Sequence, residues 1–150
     1  LRMNLKDIAQ GAVEKLRGYI LEAMRDRGKV ATGRTARSMG VLATGGESFG
    51  QASLEAEKQW RYVGNGRGPG AMPPIGPIQQ WINARGLNLS AWAVAVKIGR
   101  LGSRDFRLGR RNLFLQEIEA WEAKDVPLAE QAAAEYFAGK ALNEIDKAIN

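Results

Sequence analysis

The sequence predicts an α+β fold with a long N-terminal helix, a small antiparallel sheet, short helices and a long C-terminal helix in one domain. Three observations point there. Apolar residues recur at helical spacing near both ends of the chain. Glycine crowds the middle, with fourteen of the eighteen glycines lying between Gly33 and Gly109. Short runs within that middle alternate apolar and polar residues, as half-buried strands do. A chain of 150 residues fits a single domain, 1–150, and is long enough to hold a core without its absent cysteines.

The elements follow in order. Leu5, Ile8, Ala12, Leu16, Ile20 and Met24 step by three and four, which builds one apolar stripe on a helix over residues 3–27. Gly28 follows as the stop. Thr32 to Ser38 is a polar link or short turn. Met39–Thr44, Ala52–Glu57 and Trp60–Val63 read as three strands, the first two joined through Gly45–Gly50. Gly64–Gly76 is a loop of glycine and proline. A helix starts near Pro74–Pro77 and runs to Arg85 with Gly86 as its stop, and Ser90 caps a second that ends at Gly102. Ser103–Arg111 is a basic loop. Leu113–Ala123 is helical. The last helix begins at Asp125 as cap and Pro127 in the first turn, and buries Leu128, Ala132, Leu142, Ile145 and Ile149. Flexible loops are expected near 45–50, 64–74 and 103–111, where few apolar anchors offset the ordering entropy.

Composition narrows the function. Without cysteine or histidine the commonest nucleophiles, general bases and zinc ligands are missing together. The Gly64–Gly70 run lacks the Gly-Lys-Ser/Thr of a phosphate loop and the βαβ context of a dinucleotide site. The carboxylate pairs Glu55/Glu57 and Glu117/Glu119 read as exposed faces rather than a cleft. The chain is therefore expected to be no enzyme and to take no cofactor or metal. The longest uncharged run, Gly68–Ala84, contains four prolines and cannot be a spanning helix, so no membrane partner is expected.

Charge is the informative feature. Residues 61–112 hold nine Lys/Arg against one Asp, a net of +8, while 113–150 hold three Lys against eight Asp/Glu, a net of −5. Aromatics interleave with arginine at Trp60, Tyr62, Arg67 and Phe106–Arg107, a pattern of single-stranded nucleic-acid binders. A nucleic-acid-binding protein using the block 61–112 is accordingly the alternative function. Trp81 and Trp92 fall at helical positions and read as core or subunit interface.

Four segments, in order, resemble one family. Thr32-Gly33-Arg34-Thr35-Ala36-Arg37-Ser38-Met39 is similar to the "TGRLRxSI" segment of the head–tail joining proteins of tailed bacteriophages, also called neck, tail-completion or minor tail proteins. Trp60 to Pro69 resembles their "YVExGTGP" strand and loop. Pro73 to Leu87 resembles "PPxxxIxxWxxxKGL", and Ala91 to Gly102 resembles "AxAIARKIxxxG". Asn112-Leu113-Phe114-Leu115 stands where that family has "PFLxPA". Gly64-Asn65 replaces the family's glutamate, and no proline precedes Phe114.

The resemblance implies a structural virion protein without enzymatic activity. It implies a homo-oligomeric ring, six- or twelve-fold, between portal-side connector proteins and the tail tube. Localisation would be the virion neck or tail, with the host cytoplasm during assembly, and the ring's lumen could touch genomic DNA. The candidate assembly residues are Arg34, Arg37, Trp60, Tyr62, Arg67, Trp81 and Phe114, with the basic set Arg104, Arg107, Arg110 and Arg111 meeting the acidic set Glu130, Glu135 and Glu144 across subunits. A ring needs such unlike faces.

Overall fold

A computed structural model describes residues 3–30, 33–110 and 114–149. Its elements are α1 (Leu5–Asp26), α2 (Arg34–Ser38), β1 (Gly40–Gly45), β2 (Gly50–Glu55), α3 (Trp60–Asn65), α4 (Ile75–Ala84), α5 (Ala91–Leu101), α6 (Arg104–Arg107) and α7 (Leu115–Ile149). The α+β class, the long terminal helices and the small antiparallel sheet are as the sequence predicts. Two compact units share the chain. The first takes residues up to Ile20, then Gly40–Glu55, then the chain from Gln116 onward; the second takes Leu21–Met39 and Ala56–Leu115.

In the first unit, α1 opens with a reciprocal cap. Asn4 Oδ1 accepts from the Asp7 N–H at 3.0 Å, and Asp7 Oδ2 accepts from the Asn4 N–H at 3.1 Å. Two helix donors are satisfied at once. Leu5, Val13 and Ile20 are buried along α1. The hairpin pairs Val41 with Leu54 and Ala43 with Ala52, and these four are the more sheltered residues of their strands. Its turn closes through a Gly46 N–H to Phe49 carbonyl bond of 2.8 Å, while the Gly46 carbonyl accepts from the Leu5 N–H at 3.1 Å.

The third predicted strand is not one. Residues 60–65 form α3 instead. Alternation over four residues cannot separate a strand from a helical turn, and here helical spacing brings two residues to one partner. Trp60 stacks on Phe114 with ring centroids 4.8 Å apart, and a Cβ at Gly64 would lie 3.3 Å from the same ring.

The end of the chain also differs. One continuous helix replaces the predicted pair, with Pro127 inside it. Asp125 does not cap. It is 3% exposed, accepts from the Tyr19 hydroxyl at 2.8 Å and pairs with Lys15 at 3.2 Å. Trp121 Nε1 donates to the Ala12 carbonyl at 2.6 Å. These contacts advance in step along both helices, so α7 and the middle of α1 run in the same sense. With the Asp125 carboxylate committed to α1, the strong helix formers around Pro127 carry the helix through the missing N–H. The predicted buried face is wrong as well: Leu128, Leu142, Ile145 and Ile149 are 51–78% exposed.

The second unit packs α4 on α5, with Ile82, Ala91 and Ala95 almost fully buried. Helix α1 ends as expected at Gly28, whose φ of +63° lets Lys29 N–H reach the Met24 carbonyl at 2.7 Å and Gly28 N–H the Arg25 carbonyl at 3.0 Å. Gly86 ends α4 by the same motif, with Leu87 N–H on Ile82 and Gly86 N–H on Asn83. Ser90 caps α5 through the Ala93 N–H. The predicted basic loop contains the short helix α6. Ser103 Oγ caps it at Phe106 and also accepts from the Arg67 N–H at 2.8 Å. The Ser103 N–H returns to the Arg67 carbonyl at 2.7 Å, and Gly70 N–H bonds Gly99, so backbone bonds tie the 64–74 loop to α5 and α6.

Candidate functional site

The second unit contains a half-open cleft of about 1100 Å³. Part of its lining is apolar: Ile78 and Trp81 from α4, Leu89 from the connection, Val94 and Ile98 from α5. The rest is largely cationic. Arg27 and Lys29 flank the α1 stop, Arg85 sits at the end of α4, Lys97 on α5, Arg104 and Arg107 on α6, and Arg110 just beyond. Asp105 is the one carboxylate among the lining residues.

Several of these cations are held in place. Arg85 Nη2 donates to the Gly28 carbonyl, which joins the two glycine stops and fixes the guanidinium at the cleft edge. Lys29 pairs with Asp105, and Arg110 Nη1 lies 3.8 Å from the other oxygen of that carboxylate. The Arg27 guanidinium lies 5.6 Å from the centroid of the Phe114 ring. Burial pushes the Lys29 ammonium below its ordinary value, and repulsion from Arg110, Arg104, Arg27 and Arg85 pushes it the same way. A single carboxylate does not neutralise so many like charges. Such a cleft attracts anions.

A second cavity, of about 170 Å³, lies beside α2 and is lined by Gly33, Arg34, Thr35 and Ala36 together with Pro77, Gln80 and Trp81 of α4. Among the described residues, no three acidic side chains are grouped so as to hold a metal ion.

The candidates from the sequence separate into distinct settings. Trp81, Arg104, Arg107 and Arg110 meet in the cleft. Arg34 pairs with Glu57 at 3.1 Å, and Arg37 is exposed on the same short helix. Trp60 and Phe114 form a stacked pair, with Phe114 only 4% exposed. Tyr62 is exposed under the Arg61 guanidinium. Arg67 Nη2 donates to the Ala71 carbonyl at 2.7 Å and braces its own loop. On α7, Glu130 is exposed, Glu135 accepts from Gln131 and Glu144 pairs with Lys147. Arg111 lies outside the described residues. Trp81 and Trp92 are 37% and 61% exposed, so neither is a core residue.

Sequence reasoning missed Arg27, Lys29, Arg85 and Lys97 as members of one cluster. Arg85 and Lys97 lay within the basic block, and a basic residue beside a helix-stopping glycine was the only local signal for the other two. Comparisons with protein-family models, with curated proteins and with solved structures return no match.

Proposed function

We propose that the chain is a structural subunit of a phage head–tail joining ring, assembling on itself and between portal-side and tail-side neighbours. The observation that carries this reading is the exposed apolar stripe of α7. Leu142, Ile145 and Ile149 step by three and four along one face and are 67%, 55% and 78% exposed. Side chains of this kind, repeated along one helix face, are at home in an interface rather than in water. The order of the motif-bearing segments supports the same reading. The Gly33–Ser38 segment, the glycine–proline loop and the helices α4 and α5 follow in the order of the resembling segments, while residues 60–65 are helical where the resemblance implies a strand.

The test is the mass and symmetry of the purified protein by native mass spectrometry and negative-stain imaging. Closed six- or twelve-fold rings are expected, and Leu142→Glu with Ile149→Glu should give folded monomers. A wild-type protein that stays monomeric at high concentration and in the presence of virion necks would overturn the proposal.

A further inference from the structure

We propose that the cationic cleft of the second unit binds single-stranded nucleic acid, with phosphates on its Lys and Arg side chains and bases on its apolar ones. The cleft gathers seven cationic side chains and one acid from segments far apart in sequence. Helix chemistry explains only some of them. Arg85 and Lys29 lie at helix C-termini, where a cation is favoured. Lys97 lies inside α5, so no helix end calls for it. Seven like charges around one carboxylate repel one another, and a bound anion relieves that repulsion.

The apolar lining selects among anions. Apolar side chains and a part-exposed indole, Trp81, offer nothing to inorganic phosphate but suit an unstacked base. A duplex keeps its bases stacked and presents phosphates alone, so it leaves this apolar lining unused. Charge density argues against the acidic helix of a second copy. Over its 35 residues that helix carries eight acids set against three lysines, a net of only −5. A single strand brings one phosphate with every nucleotide. The glycine-rich loop that leads into α4 lacks the Gly-Lys-Ser/Thr that concentrates a mononucleotide's phosphates.

The experiment is fluorescence anisotropy of the full chain with a labelled oligothymidylate of about twelve nucleotides, inside the usual site sizes for single-strand grooves. Titrations run between about 50 and 200 mM salt. Binding should weaken with salt. The variant Lys97→Ala/Arg107→Ala changes two exposed side chains and should retain its circular dichroism. It should bind about tenfold or more weakly, with a salt slope smaller by about 1.4, from about 0.7 per lost phosphate contact on a single strand. Trp81→Leu should erase the preference for single strand over duplex. The control Lys6→Ala/Lys147→Ala, outside the cleft, should bind like wild type.

Four results would overturn the proposal: no binding at the lowest salt, equal loss in the control, a duplex that binds as tightly as the single strand, or displacement by a free nucleoside triphosphate at matching concentration. If the oligonucleotide does not bind but Lys97→Ala/Arg107→Ala dissolves an assembled ring, the cleft belongs to a second copy. Ring formation with no oligonucleotide binding sinks this inference and leaves the joining-ring reading standing, and the reverse outcome separates them the other way.

Discussion

Replacing Phe114 by alanine removes the side chain on which the α3 packing converges. The ring is 4% exposed, stacks on Trp60 at 4.8 Å with planes 17° apart, and is approached by Gly64 closely enough that a Cβ there would sit 3.3 Å away. Truncation of a buried phenylalanine costs about 3–5 kcal/mol. Within that, the stacked aromatic pair supplies about 0.5–1.5 kcal/mol. The total is a large part of the roughly 5–15 kcal/mol that holds a domain folded. Phe114→Leu keeps most of the buried volume and loses the ring contacts, so it should cost about 1–2 kcal/mol. Urea denaturation, followed by tryptophan emission and by far-ultraviolet circular dichroism, measures both variants. A cycle with Trp60→Ala isolates the pair, and a coupling near 0.5–1.5 kcal/mol is expected. A Phe114→Ala cost below about 1 kcal/mol at unchanged slope, or zero coupling, would show that α3 is not anchored by this ring.

Gly50→Ala should destabilise the first unit by about 1–3 kcal/mol, since an added Cβ meets the Leu5 carbonyl backbone; the urea midpoint checks it. Pro127→Ala should stabilise α7, by up to about 3 kcal/mol because proline inside a helix costs that much against alanine, and thermal melting by circular dichroism reads the gain. The Tyr19–Asp125 pair sets a pH window. The Tyr19 hydroxyl, then Lys15, holds Asp125 below its ordinary value against the opposing effect of burial. That stability is present above the unfolded carboxylate value of about 3.9 and is lost as pH falls through the lower folded one. Tyr19 is raised by the same hydrogen bond, so its share is present below about pH 10 and is lost as pH rises through its higher folded value. Tyr19→Phe should therefore weaken the acid limb and flatten the alkaline limb of a urea-midpoint profile against pH; unchanged limbs would refute the pair's role.

Local chemistry alone determined a good part of this protein. The glycine stops at Gly28 and Gly86, the Ser90 cap and the hairpin between Gly40 and Glu55 follow from residue types acting within a few positions of themselves, and all four are legible in the sequence. So is the basic character of the block that supplies most of the cleft. Tertiary structure decided the rest, because partners distant in sequence outbid local preference. Residues 60–63 alternate like a strand, but no strand among the described residues pairs with them, and Phe114 packs against the helix that 60–65 form. Asp125 and Pro127 read as a helix start, yet Tyr19 and Lys15 take the carboxylate and the helix runs through. The stripe on α7 has helical periodicity in either case; periodicity marks an apolar face without saying whether this chain covers it. The cleft combines Arg27 and Lys29 with Arg104, Arg107 and Arg110, about eighty positions away, and only the folding of α1's end against α4, α5 and α6 within one unit brings those charges together.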